Sequence, residues 1–507
     1  MLARVHSALL QGIDALPCEV EVDYDPVGLD HASVVGLPDA AVRESLDRVR
    51  AAVVNTGYAV PTGKLLFNLA PADVRKEGPV YDLPIAVGLL IAGGSLPERA
   101  GGLDPRSAVF AGELALDGRV RPIKGAIGMA TMARAEGKAA FICPAENASE
   151  AAVVAGIEVF GVSTLAEVAG LIAGELEREP ERTPDVESLI DSAVPPIDFA
   201  EIRGQEAVKR AVTIAAAGAH NLLMLGPAGS GKTMMAKALP GVLPPLTADE
   251  AIEVTRVYSA AGALPHGQSL VTQRPVRTPH HTASSPAIVG GGAVPRPGEI
   301  SLAHRGVLFL DELPEFGRGV LETLRQPLED HVVTIARSHG SVKFPASFMM
   351  VSAMNPTPRG DVAPGEVGQR EMERYIGRIS GPLLDRMDIH VEAPAVPFEQ
   401  LSGTERGTDT ATMRTAVLGA RGRSSARQGA ATPNARLSGK QLDDLVRMDD
   451  AARALLGQAI TSLGLSARAY DKIRRVSLTI ADLEGDERVR TEFVAEAVQY
   501  RLLDRRV

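Results

Sequence analysis

The sequence contains no tryptophan, and aromatic residues make up only 4% of its 507 positions. Proteins that coat single-stranded nucleic acid commonly stack bases on exposed aromatic rings, and this composition indicates no such platform. The formal net charge of −10 argues against a chain that is basic over its whole surface. A local positive patch remains compatible with that total.

Cysteine and long apolar runs are also scarce. Cys18 and Cys143 are too few for a zinc site of their own and indicate no disulfide framework. Charged residues interrupt the start of the chain, which is not the pattern of a secretory signal. The longest apolar run, Leu83 to Ala92, is about half of the ~20 residues that a membrane helix needs. We therefore expect a cytoplasmic protein with no membrane partner.

Length and composition favour a multidomain globular protein. Hydrophobic residues account for 45% and charged residues for 23% of the chain. At typical domain sizes the length suffices for roughly three domains. Near the start, β-branched segments at Cys18–Val22 and Ala32–Val35 predict strands, and the helical spacing of apolar residues in Asp39–Thr56 predicts an amphipathic helix.

One stretch organises the rest of the chain. Asn221 to Leu225 is a short apolar run that predicts a buried parallel strand. The segment that follows fits the pattern G-x-x-x-x-G-K-[ST] at every fixed position. In this motif backbone N–H groups surround phosphates, the lysine reaches the β- and γ-phosphates, and the hydroxyl ligates Mg²⁺. The predicted cofactors are ATP and Mg²⁺. The predicted nucleotide-binding residues are Gly226, Pro227, Ala228, Gly229, Ser230, Gly231, Lys232 and Thr233.

A second motif supplies carboxylates. Gly306 to Leu310 predicts another buried strand, and two acidic residues follow where it ends. Asp311 is predicted to hold the Mg²⁺ together with Thr233, and Glu312 to polarise the water that attacks the γ-phosphate. An exposed acidic strand end is the alternative for either carboxylate taken alone.

Two N-terminal segments, KLLFNLAPADVRKEGPVYDLPIAVGLLIAGG and AVFAGELALDGRVRPIKGA, resemble the Lon-protease-type domain that opens the ComM/YifB proteins. These are magnesium-chelatase-like AAA+ ATPases, and the resemblance extends over nearly the whole chain. It implies a multidomain α/β fold with a P-loop AAA+ parallel-sheet core, a helical lid and an N-terminal α+β domain like domain 2 of ribosomal protein S5. The expected boundaries are 1–175 for the N-terminal domain, 176–196 for a linker, 197–395 for the core, 396–410 for a second linker and 411–507 for the lid, which is of the magnesium-chelatase C-terminal type.

The N-terminal domain is expected not to cut peptides. Lon enzymes use a Ser–Lys dyad, and Val80 stands where the resemblance requires the serine. Ile127 stands where it requires the lysine, and Lys124 is out of register. The expected role of this domain is assembly or partner binding.

The resemblance implies three further catalytic residues. Asn355 matches sensor 1, and Arg468 matches sensor 2, which contacts the γ-phosphate from the same or an adjacent subunit. Arg386 matches the arginine finger that reaches a neighbouring subunit's nucleotide, which implies a ring, expected to be a hexamer. An intramolecular salt bridge with Asp385 or Asp388 is the alternative for Arg386.

Several segments are candidates for contact with a substrate. Pro275 to Ser301 is rich in glycine and proline, which predicts no packed element, and in the family it is a loop that faces the centre of the ring. Its adjacent His280 and His281 lack further ligands at metal spacing, so a surface or hydrogen-bonding role is favoured and no zinc is expected. His331 to Pro345 predicts a hairpin, and Ala411 to Leu442 carries six basic residues and no acid. Either segment is a candidate DNA contact or an ordinary solvated surface.

The resemblance implies a DNA motor. Its expected activity is branch migration, as a helicase acting on recombination intermediates in natural transformation and homologous recombination. The expected partner is branched or single-stranded DNA. The alternatives are a magnesium-chelatase-like motor subunit and a protein-remodelling ATPase.

Overall fold

A computed structural model describes residues 1–96, 102–193, 197–265, 267–292, 295–337, 340–357, 366–402, 407–430, 432–501 and 503–506. The chain divides into two units. Unit 1 contains residues 1–189 and 248–271, and unit 2 contains residues 190–247 and 272–507. Residues 248–271 lie within the expected core segment 197–395 but belong to unit 1. The expected boundaries did not include this insertion.

The elements up to Asp191 alternate between strands and helices. They are β1 (Leu2–Gln11), β2 (Asp14–Asp25), β3 (His31–Val35), α1 (Ala40–Asn55), β4 (Lys64–Ala70), α2 (Asp82–Ala92), β5 (Ala108–Phe110), β6 (Glu113–Leu114), β7 (Val120–Arg121), α3 (Ala126–Ala135), β8 (Ala140–Pro144), α4 (Ala145–Ala151), β9 (Glu158–Val162), α5 (Leu165–Ala173) and α6 (Val186–Asp191).

The second half of the chain begins with further α/β alternation and ends in helices. Its elements are α7 (Glu206–Gly218), β10 (Leu222–Leu225), α8 (Lys232–Ala238), α9 (Ala248–Ala261), β11 (Val276–Arg277), α10 (Ser285–Val289), β12 (Gly290–Gly291), β13 (Arg296–Pro297), α11 (Glu299–Leu302), β14 (Val307–Leu310), α12 (Arg318–Thr323), α13 (Arg325–Asp330), β15 (Val332–Arg337), β16 (Gly340–Pro345), β17 (Met349–Met354), α14 (Glu366–Ile376), α15 (Gly381–Leu384), β18 (Ile389–Glu392), α16 (Phe398–Ser402), α17 (Thr410–Gln428), α18 (Gly439–Leu445), α19 (Asp450–Leu463), α20 (Ala467–Glu484) and α21 (Thr491–Gln499).

Unit 1 is built on a mixed sheet. In the described part of the chain its strand order is β3-β4-β2-β1-β5-β8-β9, with antiparallel pairing of β2 to β1 and β4 and parallel pairing elsewhere. The apolar run Leu83–Ala92 forms most of α2, which packs on β1 and β2 and is buried nearly all round. Among the described residues, no helix combines the length and apolar character that crossing a membrane requires.

The inserted helix α9 packs within unit 1. The backbone N–H of Gly125, just before α3, donates to both the carbonyl and the hydroxyl oxygen of Ser259, at 3.2 and 3.1 Å. Arg256 on the same helix forms an ion pair with Asp14. A helix that lies within the expected core segment 197–395 is therefore part of unit 1.

The two positions at which Lon enzymes carry the Ser–Lys dyad lie in hydrophobic surroundings in this chain. Ile127 is fully buried in α3, and Val80 packs against the core of unit 1. The adjacent Asp82 is buried in a bidentate ion pair with Arg48, at 2.8 and 3.1 Å. This ion pair joins α1 to α2, so Arg48 and Asp82 stabilise the packing of these two helices.

Unit 2 contains a parallel sheet, as the P-loop motif predicts. In the described residues its strand order is β11-β14-β17-β10-β18, and every pair is parallel. The four residues of β10 and of β14 are all buried, because helices cover both faces of such sheets. Since the strands share one direction, their carboxyl ends meet at one edge, where ligands of open parallel sheets bind.

The remaining segment predictions have mixed outcomes. Ser466 caps α20 by accepting a hydrogen bond from the Ala469 N–H, which places Arg468 in the first turn of that helix. The expectation that 275–301 contains no packed element is wrong in part, because α10 and α11 bury Ile288 and Ile300. The expected second linker, 396–410, contains the short helix α16. Short helices that bury an isoleucine each can therefore form in a stretch whose glycine and proline content predicts a loop.

Candidate active site

The glycine-rich loop folds tightly over the end of β10. Gly226 N–H donates to the carbonyl of Met354 on β17 at 3.1 Å, and a Cβ at Gly226 would lie 2.0 Å from the Ala393 carbonyl oxygen. Gly229 and Gly231 have φ angles of 77° and 87°, in the left-handed region that side chains disfavour. The motif glycines are therefore required by the backbone path, which is the path that presents N–H groups to phosphates.

Lys232 is the buried centre of this loop. Its Nζ donates to the carbonyls of Gly226 and Pro227, both at 2.7 Å, and to Asn355 Oδ1 at 3.3 Å. Burial lowers the pKa of Lys232, and the negative charge of Asp311 opposes that shift. Asn355 follows β17, the strand beside β10, so the side chain predicted as sensor 1 lies next to the P-loop lysine.

Thr233 and Asp311 lie together beside that lysine. The Thr233 hydroxyl donates to Asp311 Oδ2 at 2.7 Å, although the residues are 78 positions apart. Asp311 also accepts a hydrogen bond from the Glu312 N–H through its other oxygen. A hydroxyl and a carboxylate oxygen in contact are hard donors that suit Mg²⁺, which keeps most of its waters and takes one or two protein ligands. The donor set fits the expected magnesium.

Glu312 has an unusual backbone. Its φ of 53° and ψ of 47° are left-handed, a conformation that costs a non-glycine residue roughly 1–2 kcal/mol. Its carboxylate Oε2 lies 3.4 Å from Nδ1 of His281. The sequence predicts a surface or hydrogen-bonding role for His281 but does not predict this partner.

The two predicted arginines lie together, in a cleft that the P-loop does not line. Arg386 donates to the Pro382 carbonyl at 2.6 Å and forms an ion pair with Glu329, rather than with Asp385 or Asp388. Arg468 donates to Asp385 Oδ2 at 3.0 Å, and its side chain is 71% exposed. The structure therefore groups the predicted site residues into two sets.

The cleft that contains both arginines has a volume of about 440 Å³. Its lining also includes Arg436, Arg475 and Lys472, the last of which pairs with the buried Asp388 at 2.9 Å. Four carboxylates, those of Glu329, Asp385, Asp388 and Asp471, line the same cleft, so its charges are nearly balanced and three of its basic side chains are already paired.

The basic run at 411–442 is largely tied to the protein's own fold. Most of it forms α17, which packs on α7 and α20. Arg427 forms a bidentate ion pair with buried Asp482, at 2.6 and 2.8 Å. Arg423 donates to the Asp482 carbonyl, and Arg421 to the Ala216 carbonyl. Because these three arginines have partners within the protein, fewer basic side chains are available to contact DNA than the sequence suggests.

Replacing Arg427 by alanine is expected to destabilise the C-terminal helices. Removing one partner of a buried ion pair leaves Asp482 uncompensated, which typically costs about 3 kcal/mol. We expect the calorimetric unfolding midpoint of this region to fall by roughly 5–10 °C. Lys440→Ala, at an exposed basic position of the same run, is the matched control and should change it by about 1 °C. Equal midpoints for the two variants would contradict the structural role of Arg427.

The predicted hairpin is confirmed. β15 and β16 pair antiparallel from Val332 opposite Pro345 to Arg337 opposite Gly340. Lys343 lies on β16, whereas His339 lies outside the described residues. The hairpin directly precedes β17 in the chain, and Asn355 follows that strand.

Comparison with known proteins identifies relatives along the whole chain. Residues 198–401 match the family described as magnesium chelatase, subunit ChlI. Residues 20–147 match the family described as subunit ChlI of Mg-chelatase, and residues 407–501 match its C-terminal family. The chain is 43% identical to competence protein ComM of Haemophilus influenzae and 42% identical to protein YifB of Salmonella typhimurium, over 99% of this chain and 98% of each relative. It is 27% identical to the magnesium-chelatase 38 kDa subunit of Rhodobacter capsulatus, over 34% of this chain and 53% of that subunit.

Proposed function

The chain belongs to the ComM/YifB family of magnesium-chelatase-like proteins, and on that premise we propose that it is an ATP-hydrolysing ring motor that acts on branched DNA. The contact between Thr233 and Asp311 beside Lys232 is the observation that carries the ATPase part. It joins the two motifs into one site with the donor types that a magnesium nucleotide requires.

Each residue of the site has a proposed role in hydrolysis. The loop from Gly226 to Gly231 binds the phosphates through backbone N–H groups, and Lys232 neutralises charge on the β- and γ-phosphates. Thr233 and Asp311 would hold Mg²⁺, which would supply positive charge against the negative charge that develops during phosphoryl transfer. Glu312 accepts a proton from the attacking water. Asn355, already beside Lys232, positions that water or the γ-phosphate.

Arg386 and Arg468 are proposed to act on the nucleotide of a neighbouring subunit. They share one cleft, and none of the P-loop residues Gly226 to Thr233 is among its described lining residues. A subunit that binds ATP through its own loop and supplies arginines from another face needs a partner in a head-to-tail arrangement. Such interfaces close into rings, and a hexamer is the proposed assembly.

The DNA part of the proposal rests on the family. One relative is named a competence protein, and the remaining support is the hairpin β15–β16, which buries Val333, Ile335 and Phe344 on one face and exposes Thr334 and Lys343. We expect purified protein to convert a synthetic three-stranded junction into products when ATP and Mg²⁺ are supplied, read as a change in gel mobility. The variant Glu312→Gln should bind the junction and leave it unconverted.

The same assay separates the alternatives. If ATP is hydrolysed but no junction moves, the DNA assignment is wrong, and stimulation by a porphyrin-binding subunit or by unfolded protein identifies the substrate class. If no ATP is hydrolysed, the ATPase assignment itself is wrong.

A further inference from the structure

Asn221 lies directly before β10, the strand that leads into the P-loop. Its side-chain Oδ1 accepts the backbone N–H of Met350 on β17 at 2.9 Å, and its Nδ2 donates to the backbone carbonyl of Arg386 at 2.9 Å. Since a carbonyl only accepts and an N–H only donates, these two partners fix the orientation of the amide. One side chain therefore joins the P-loop sheet to the residue predicted as the arginine finger.

The backbone of Asn221 holds the same segment of chain. Its N–H donates to Asp388 Oδ2 at 3.0 Å, and its carbonyl accepts the N–H groups of Asp388 and Ile389 at 2.9 and 3.1 Å. These bonds lead into the parallel pairing of β10 with β18 and do not require an asparagine side chain. A substitution of Asn221 therefore removes the bond to Arg386 and leaves the strand pairing in place.

The strand β10 separates two functional regions. The P-loop follows its carboxyl end, whereas Asn221 and Arg386 meet at its amino end and both line the cleft of the predicted arginines. A strand of four residues spans about 13 Å. Asn221 is thus close to the P-loop in the sequence but lies with Arg386 in space.

The position of Arg386 depends on a short helix. α15 has four residues, and Arg386 follows its last residue by two positions. The Arg386 N–H donates to the Leu383 carbonyl, which is a local bond, whereas the bond from Asn221 connects Arg386 to the sheet. An arginine finger acts only when its guanidinium reaches the transferred phosphate, and a misplacement of about 1 Å can cost about 10²-fold in rate. The proposed site therefore requires a fixed backbone at Arg386.

We propose that Asn221 is a positioning residue that fixes the backbone of Arg386 and so presents its guanidinium to the nucleotide of the neighbouring subunit. The proposal rests on the proposed action of Arg386 across the subunit interface. Asn221 acts through the Arg386 carbonyl and not on the P-loop that follows it. A change at Asn221 should therefore impair the neighbour's site and spare the site of its own subunit.

The first test measures ATP hydrolysis and ATP binding by Asn221→Ala. We expect kcat to fall about tenfold, because Arg386 is displaced and not removed. The affinity for ATP should stay within about threefold of wild type, because the P-loop contacts of Lys232 and Thr233 do not involve Asn221. Asn55→Ala is the matched control. It removes another side-chain bond to a carbonyl, that of Leu116 in unit 1, and should keep kcat within about twofold of wild type.

Mixed rings give a readout that a purely structural role would not produce. Each complete site takes its P-loop from one subunit and its arginine from the next. Asn221→Ala mixed equally with Lys232→Ala should recover about a quarter of wild-type activity, since Lys232→Ala subunits supply a well-placed Arg386. Asn221→Ala mixed with Arg386→Ala should stay near one-twentieth, because every arginine in that ring is displaced or missing. If Asn221 served its own subunit's nucleotide, the two results would be exchanged.

A second variant keeps the bond to β17. Asn221→Asp retains an oxygen that accepts the Met350 N–H and loses the donor to Arg386, so it should behave as Asn221→Ala does in both mixtures. Wild-type kcat in either variant, lost ATP binding, exchanged mixture results or no recovery in either mixture would overturn the proposal. The mixture of Arg386→Ala with Lys232→Ala is the positive control. Its failure, although subunits exchange, would overturn the proposed trans-acting site itself.

Discussion

Replacing Glu312 by glutamine should lower the kcat of ATP hydrolysis by about 10²–10⁴-fold, the range that a general base contributes. The amide has nearly the same shape as the carboxylate but cannot accept the proton of the attacking water. The P-loop contacts of Lys232 and Thr233 do not involve the Glu312 side chain, so ATP should still bind with an affinity within about threefold of wild type. Single-turnover hydrolysis and a fluorescent ATP titration measure the two quantities separately.

Glu315→Gln is the matched control for this prediction. Glu315 is an acid on the same short helical turn, and its carboxylate pairs with Arg378 instead of facing the nucleotide loop. It should retain a kcat within about twofold of wild type. A Glu312→Gln enzyme with near-normal kcat would remove Glu312 from the mechanism, and a parallel loss of ATP binding would assign it to binding rather than to proton transfer.

The strain at Glu312 is consistent with a catalytic role. A left-handed backbone at a residue with a side chain persists only where its surroundings impose it, and such residues are frequent at active sites. Here the strand β14 ends and the chain turns at once into a 3₁₀ turn at Leu313–Glu315. The turn directs the carboxylate out of the line of the strand and toward the edge shared with β11.

The sequence was sufficient for the parts of the site that follow from contiguous motifs and strand ends. The P-loop residues are neighbours in the chain, and Asp311 follows a four-residue apolar strand. Because parallel strands end at one edge, the contact between Thr233 and Asp311 could be anticipated across 78 positions. The resemblance predicted Asn355 as sensor 1, and its position after β17, the strand beside β10, explains why it lies next to Lys232.

The sequence was insufficient where a contact depends on register or on a distant partner. β11 has only two residues and is flanked by proline, so the sequence shows no periodic pattern that predicts this strand. Its pairing with β14, which brings His281 close to Glu312, could therefore not be predicted. The basic run on α17 looked like a solvated face because Asp482, the partner of Arg427, lies 55 positions away. Residues 248–271 lie between the two nucleotide-site motifs in the sequence, so their place in unit 1 could not be inferred from chain order.

Arg386→Ala and Lys232→Ala should each abolish ATP hydrolysis alone and recover part of it when mixed. An arginine finger contributes about 10³–10⁵-fold to kcat, and a P-loop without its lysine binds nucleotide poorly. In a head-to-tail ring, the intact loop of an Arg386→Ala subunit can meet the intact Arg386 of a Lys232→Ala neighbour. With equal amounts and random exchange, about a quarter of the interfaces are complete, so about a quarter of wild-type activity should return.

The pairing of variants decides which residues act across the interface. Lys232→Ala mixed with Glu312→Gln should give no recovery of ATP hydrolysis. Both residues belong to the part of the site that the nucleotide-binding subunit itself supplies, so every interface in the mixed ring lacks one of them. Arg468 shares the cleft of Arg386, so Arg468→Ala mixed with Lys232→Ala should recover as Arg386→Ala does. If the Arg468 mixture stays inactive while the Arg386 mixture recovers, Arg468 serves the nucleotide of its own subunit. If neither recovers although the subunits exchange, the ion pair of Arg386 with Glu329 is structural and the proposed trans-acting site is wrong.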